Sequence, residues 1–306
     1  MTARPRVAGS VEANLGVGAA RSCDADGWRA RLELGFEAGD GRTVLRRRRH
    51  FGPLRVQRGF HPEGFPCHSY LLHPPGGVVG GDRLEIDVTV ADAAHALITT
   101  PAAGKFYRSA GPEARQRQQL RVGAGAALEW LPSLNIVHAG ARVVLRSRFQ
   151  LAAGSRLLAW DMLGLGRPGS GDRFEYGSVD SGLEVIAGDH PILSERVRID
   201  GDGPLRHARW GLQGQRYLAT LLAWPATPAL LAMVRAGIGC DARPGRVACT
   251  LLPGPGSPAP DAGGLLVCRW LAGDGEALGA AMVQAWFLLR PPVLGRPACP
   301  PRIWAT

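Results

Sequence analysis

Lysine is nearly missing from this chain: of 36 basic residues only Lys105 is a lysine, and the others are arginines. Cysteine is sparse too, with six in 306 residues (Cys23, Cys67, Cys240, Cys249, Cys268, Cys299) and no C-x-x-C pair. A chain of about 300 residues buries roughly 75% of its unfolded surface and needs no staple. The cysteines therefore read as reduced side chains, not as a disulfide framework. The eight histidines include no H-E-x-x-H, and His68 and His73 stand five apart, so the spacing argues against a preformed zinc site.

No run reaches the ~18 uninterrupted apolar residues that a membrane span needs. Residues 1–27 hold neither an apolar signal core nor an amphipathic transit pattern. They read as a loosely ordered extension of a cytoplasmic protein. Enzyme signatures are lacking as well: there is no G-x-x-x-x-G-K-[ST] and no G-x-S-x-G. One G-x-G-x-x-G occurs, Gly164 to Gly169, but Pro168 and the run Gly169 to Asp172 read as loop where a dinucleotide site requires a helix. No nucleophile–base pair can be assembled, and the chain reads as non-enzymatic.

What the chain does have is turn-formers, 42 glycines and 24 prolines, which favour many short elements over a helical bundle. Hydrophobic residues at 45% and charged residues at 20% are globular composition. The clearest strand is Arg83 to Val90, with strict apolar/polar alternation; Trp28 to Leu34 alternates in the same way. Further strands are expected at Ala96–Thr100, Gln118–Val122, Ala127–Leu131, Arg142–Leu151, Arg156–Trp160 and Arg196–Ile199, with glycine turns between them. The C-terminal third changes character. A helix is expected over Gln213–Trp224, ended by Pro225, then a loop over Leu252–Gly264. A second helix is expected after an Asp274 N-cap, with Leu278, Ala281, Met282, Ala285, Trp286 and Leu289 on one stripe and Pro291-Pro292 as its stop. No strong linker divides residues 28–306, which read as one mainly β domain with two helices near its end.

The formal charge of +10 predicts acidic partners. Arg46 to Arg49 is either a phosphate grip or the solvated face of an edge strand. Lys105-Phe106-Tyr107-Arg108 offers cations around two aromatics, but consecutive aromatics in a strand point to opposite faces. Aromatics make up only 7% and are not interleaved with the arginines, which counts against nucleic acid as the partner. The segment His73 to Asp82 holds four glycines (Gly76, Gly77, Gly80, Gly81) and two prolines. It either lets two backbones pass closely or presents carbonyls and Asp82 to a small ligand or ion.

Taken together, the blocks His73–Asp82, Thr99-Thr100, Lys105–Arg108, Leu128–Pro132 with Glu129, Gly166-Arg167, Glu195-Arg196 and Pro301–Trp304 resemble the urease accessory protein family UreD, also called UreH. They run in family order from about Arg42 to the end of the chain. The resemblance implies a predominantly β, β-helix-like stack of strands with two helices. It also implies a scaffold that binds apo-urease and the accessory proteins UreF and UreG, the latter a GTPase that delivers nickel. No permanent cofactor is implied, since Ni²⁺ is cargo. A conduit must hold this ion loosely, which carboxylates, carbonyls and water do better than imidazole or thiolate cages. The family's internal channel points to Asp82, Asp161 and Glu195, with Asp172 beside them, as its lining. Each acid has the competing role of pairing with a nearby arginine, as Glu195 could with Arg196 or Arg198. The matching blocks mark His73, the four glycines, Lys105, Tyr107, Arg108, Glu129, Arg167 and Arg196 as binding residues.

One segment departs from the resemblance. After Leu131-Pro132, relatives commonly continue with two acidic residues before Gly-Ala, whereas Ser133 to Ala141 here has neither and carries His138. Leu134 beside Ile136 is then a candidate apolar partner patch. The alternative is a diverged basic β protein that binds nucleic acid or another acidic client.

Overall fold

Alternation in the sequence becomes alternation of burial. In β1 (Arg29–Gly39) Ala30, Leu32, Leu34 and Phe36 are buried, and in β5 (Arg83–Val90) so are Leu84, Ile86, Val88 and Val90. The computed structural model describes residues 27–238, 245–255 and 263–305. All but Gly27 of the expected N-terminal extension, and most of the expected Leu252–Gly264 loop, lie outside the described residues.

Two sheets face each other. With strands numbered in chain order, the first sheet runs β14 (His190–Asp200), β13 (Ser178–Ala187), β11 (Arg142–Leu151), β8 (Ala114–Val122), β5, β1, β2 (Arg42–Phe51). The second runs β16 (Gly245–Pro253), β17 (Gly264–Ala272), β15 (Tyr217–Ala226), β12 (Arg156–Leu165), β9 (Ala127–Leu131), β6 (His95–Thr99), β4 (Cys67–Leu72), β3 (Arg55–Val56). Two short strands, β7 (Gly104–Phe106) and β10 (Asn135–Val137), extend it beside β12. From β4 to β13 the long strands alternate between the sheets, and within each sheet they pair in parallel. This is solenoid-like stacking, with antiparallel strands closing each sheet at its edges. The interior between the sheets is filled by residues such as Leu120, Phe149, Leu157 and Val185.

Two α-helices among the described residues, α1 (Pro228–Gly237) and α2 (Gly275–Leu294), cover the outer face of the second sheet. Asp274 caps α2 as expected, its Oδ1 accepting from the Ala277 N–H at 2.7 Å. Leu278, Met282, Ala285, Trp286 and Leu289 are buried on the stripe. By length and composition α2 is the one described helix apolar enough to cross a membrane, but its apolar stripe is packed against the sheet.

Three expectations are corrected. Tyr217–Ala226 is a strand, not a helix: Leu218, Thr220, Leu222 and Trp224 face the opposite sheet, while Ala219, Leu221 and Ala223 face the helices. An apolar run buried on both faces has no period of its own to separate strand from helix. The first helix starts instead at Pro228, where the Thr227 hydroxyl accepts from the Leu230 N–H. Pro291 and Pro292 do not stop α2; they lie in its last turns, and Gly295 at φ 68° ends it.

Candidate functional site

A cavity of about 300 Å³ opens between the sheets at the glycine-rich segment. His73, Gly76, Gly77 and Lys105 line one part of it, and Gln116 and Gln118 of β8 line another. Trp130 borders both this cavity and a second, enclosed space of about 10 Å³, which is room for about one water. Ser147, Asp161 and Thr220 supply the polar groups of that inner space. The hydroxyl of Ser147 donates to Gln118 Oε1 at 3.1 Å and joins the two spaces.

Strand register explains why these side chains meet. Gln118, Ser147, Leu183 and Glu195 are successive partners across the first sheet. Asp161, Thr220 and Arg269 are successive partners across the second. Polar rows therefore face each other inside an apolar stack. At the far end Arg269 donates to Glu195 through Nε and Nη2, at 3.3 and 2.6 Å. Beside Asp161 the ladder is broken: β12 pairs with β9 only as far as Ala159 and with β10 only from Leu163. In that gap the indole of Trp160 donates to the Pro132 carbonyl at 2.7 Å.

Asp161 differs from the other expected acids. No cationic side chain pairs with it among the described residues. Burial, against one backbone hydrogen bond from Met162, pushes its carboxyl up to about 6. Asp82 is buried but does not line the cavity. Its oxygens accept from the backbone N–H groups of Trp28 and Val79 at 2.8 and 2.9 Å, which pins the glycine-rich segment to the start of β1. Asp172 accepts from His138 Nδ1 at 2.9 Å and from the Ala139 and Phe174 N–H groups, bonds that outweigh burial and hold its carboxyl low. Glu195 pairs with Arg269 rather than with Arg196 or Arg198. Those two lie next to it in alternation along β14 and take Asp180 and Asp200 instead.

The glycine-rich segment is a place of close approach. A Cβ on Gly77 would come within 2.0 Å of the Tyr107 ring, and one on Gly80 within 2.1 Å of Ser109 Oγ. Phe106 is buried and Tyr107 exposed, the opposite facing expected of consecutive strand residues. Tyr107 stacks on His138 with ring centres 5.0 Å apart, and Arg108 and Tyr176 flank Gly140 next to them. Val79 and Tyr176 are exposed, so the segment carries an aromatic shoulder. Arg167 is exposed in the turn after β12, and Arg46 to Arg49 lie exposed on edge strand β2, with Arg47 paired to Glu33. Leu134 is not a free patch, because it packs against the helix-side core.

Glu129 is not a surface residue. It is wholly buried beneath α2, where Arg290 Nε donates to both its oxygens at 3.0 and 3.2 Å and Trp286 Nε1 donates at 2.7 Å. His95 Nε2 is 2.9 Å away, and Arg290 also reaches Glu63, itself bonded to His68. Arg290, Glu63, His68 and His95 carried no local motif. The one signal for Arg290 was a cation on the otherwise apolar side of an amphipathic helix. No three His, Cys, Asp or Glu side chains gather as a metal-binding group among the described residues.

The comparisons with known proteins agree on one family. The Urease accessory protein UreD of Alkalilimnicola ehrlichii is 51% identical over 281 residues, covering 92% of each chain. The protein of that name from Pseudomonas putida strain W619 is also 51% identical, over 92% of this chain and 95% of its own. That from Enterobacter sp. strain 638 is 45% identical over 92% and 96%. The family model described as UreD urease accessory protein matches residues 28–305, the span of both sheets and both helices, and the chain therefore belongs to the UreD family.

Proposed function

We propose that this protein serves urease maturation in the cytoplasm as a scaffold. In this reading it holds apo-urease together with UreF-like and UreG-like partners while Ni²⁺ passes between its two sheets. The observation that carries the reading is Asp161, a carboxylate without a cationic partner among the described residues, set between the two sheets. Asp161 is half-buried against the inner space, and an acid held there without a cation costs stability, so its retention argues for a task other than folding. The neighbouring hydroxyls of Ser147 and Thr220 and the amide of Gln118 are oxygen donors of the weak kind that releases nickel as readily as it binds it. Since the inner space holds about one water, an entering ion exchanges its hydration shell for these oxygens. The exposed shoulder of Val79, Tyr107 and Tyr176, with Arg108 beside it, is the surface we assign to a protein partner.

The test is urease activation in a host that carries apo-urease and the other accessory proteins. Asp161→Ala is expected to lower nickel per active site and urease activity together, while the variant still co-purifies with its partners. Nickel loading equal to wild type would remove Asp161, and with it the passage, from the reading.

A further inference from the structure

Two cysteines stand side by side on the outer face of the second sheet, away from the polar rows. Cys249 of β16 and Cys268 of β17 are direct antiparallel partners, so their side chains leave the sheet on the same face. Direct partners in an antiparallel pair have Cα atoms about 4.5 or 5.5 Å apart, inside the roughly 4.4–6.8 Å window of a disulfide. Both cysteines are free thiols. Cys268 is wholly buried in the helix-side core, whereas Cys249, on the edge strand, is half-buried and reachable from solvent. Arg235 of α1 lies over the pair, its Nη2 donating to the Cys249 carbonyl at 2.8 Å. The maturation reading uses none of these groups.

We propose that Cys249 and Cys268 form a peroxide-sensitive dithiol, a modification site that closes reversibly into a cross-strand disulfide. The neighbouring Cys268 thiol, aided by the Arg235 charge, holds the Cys249 thiol below its ordinary range; the same neighbour and burial push Cys268 up. Cys249 is thus the thiolate and Cys268 the proton-bearing partner, the asymmetry that a nucleophilic and a resolving thiol require. In the first step the Cys249 thiolate attacks one oxygen of a hydroperoxide. The O–O bond breaks, a sulfenic acid forms on Cys249, and the other oxygen leaves as alkoxide or hydroxide and takes a proton from solvent. In the second step Cys268 sulfur attacks the sulfenic sulfur, the S–O bond breaks, and the hydroxyl leaves as water with the Cys268 proton. Two thiols are oxidised by two electrons and one peroxide is reduced. The new bond ties edge strand β16 to β17, the strand whose next residue, Arg269, bonds to Glu195 from its other face.

The experiment treats the full-length protein with one equivalent of hydrogen peroxide, alkylates the remaining thiols under denaturing conditions and maps the peptides by mass spectrometry. Two of the six thiols are expected to disappear into a Cys249–Cys268 linked peptide that dithiothreitol releases. Cys249→Ser should abolish this loss. Cys268→Ser should leave a sulfenic acid on Cys249 that dimedone traps. Should the buried Cys268→Ser variant fail to fold, the wild-type peptide map decides alone. Unchanged alkylation of both residues, or linkage of Cys249 to a different cysteine, would overturn the proposal.

Discussion

Arg269 of β17 and Glu195 of β14 bond across the mouth between the two sheets, Nη2 to Oε2 at 2.6 Å, and are the ion pair that closes the polar rows at that end. Both side chains keep about a third or more of their surface in solvent, at 43% and 34%, so water and salt screen the pair. Glu195→Gln is expected to cost no more than about 1 kcal/mol in urea unfolding. Added salt should narrow the gap between wild type and variant. A loss of several kcal/mol that salt leaves untouched would mean that the pair acts as a buried one.

The opposite behaviour is expected beneath α2. Glu129 and Arg290 are both fully buried, and removing either leaves its partner charged in an apolar surrounding. Arg290→Met strands two carboxylates, Glu63 and Glu129, and should destabilise the fold by about 3–5 kcal/mol. Restoring wild-type unfolding free energy with Arg290→Met alone would show that the network is dispensable.

Glu63 gives this network a pH dependence with a definite sign. Against the burial that opposes them, the His68 and Arg290 bonds hold its carboxyl at about 2, below the ordinary 4.5. A carboxyl depressed in the folded state adds stability that is complete above about pH 4.5 and disappears as pH falls toward 2. The shift corresponds to something on the order of 3 kcal/mol. Unfolding free energies measured in steps from pH 6 to pH 2 should therefore fall more steeply for wild type than for Glu63→Gln. Parallel curves would exclude Glu63 as the titrating group.

How much of this was legible in the sequence depends on what each residue faces. Strands β1 and β5 could be read because one of their faces is solvated, and alternation records that difference. Strand β15 could not, since sheet and helices bury both its faces and hydrophobicity carries no period there. The start of α1 was local and readable at Thr227-Pro228, but the apolar run before it drew the start of the helix fifteen residues too early in the chain, to Gln213. Asp161 stood out as a lone acid within Leu157 to Leu165, and the fold gives it a distinctive place. Asp82 and Asp172 looked equivalent to it in sequence; only the folded loops show their oxygens occupied by backbone N–H groups. The Glu63–Arg290 contact joins residues 227 positions apart, a distance at which no pattern in one chain signals a pair.

Asp161 should also show a cost that its neighbours do not. Its carboxyl is raised from 3.8 to about 6 by burial, so the unfolded chain ionises before the folded one as pH rises. The folded state therefore loses stability between about pH 4 and pH 6, and the full penalty remains above that. Asp161→Asn removes the charge and keeps the shape. It is expected to unfold at higher urea than wild type at pH 8, by at most about 3 kcal/mol, with the advantage vanishing below pH 4. The same variant should load less nickel into urease, because an amide offers one neutral oxygen where the carboxylate offered a charged pair. Gained stability with lost delivery is the signature of a residue kept for transfer at the expense of folding. A variant less stable than wild type at pH 8 would mean instead that the ionised carboxylate is well solvated in its cavity, and that burial is not what sets its titration.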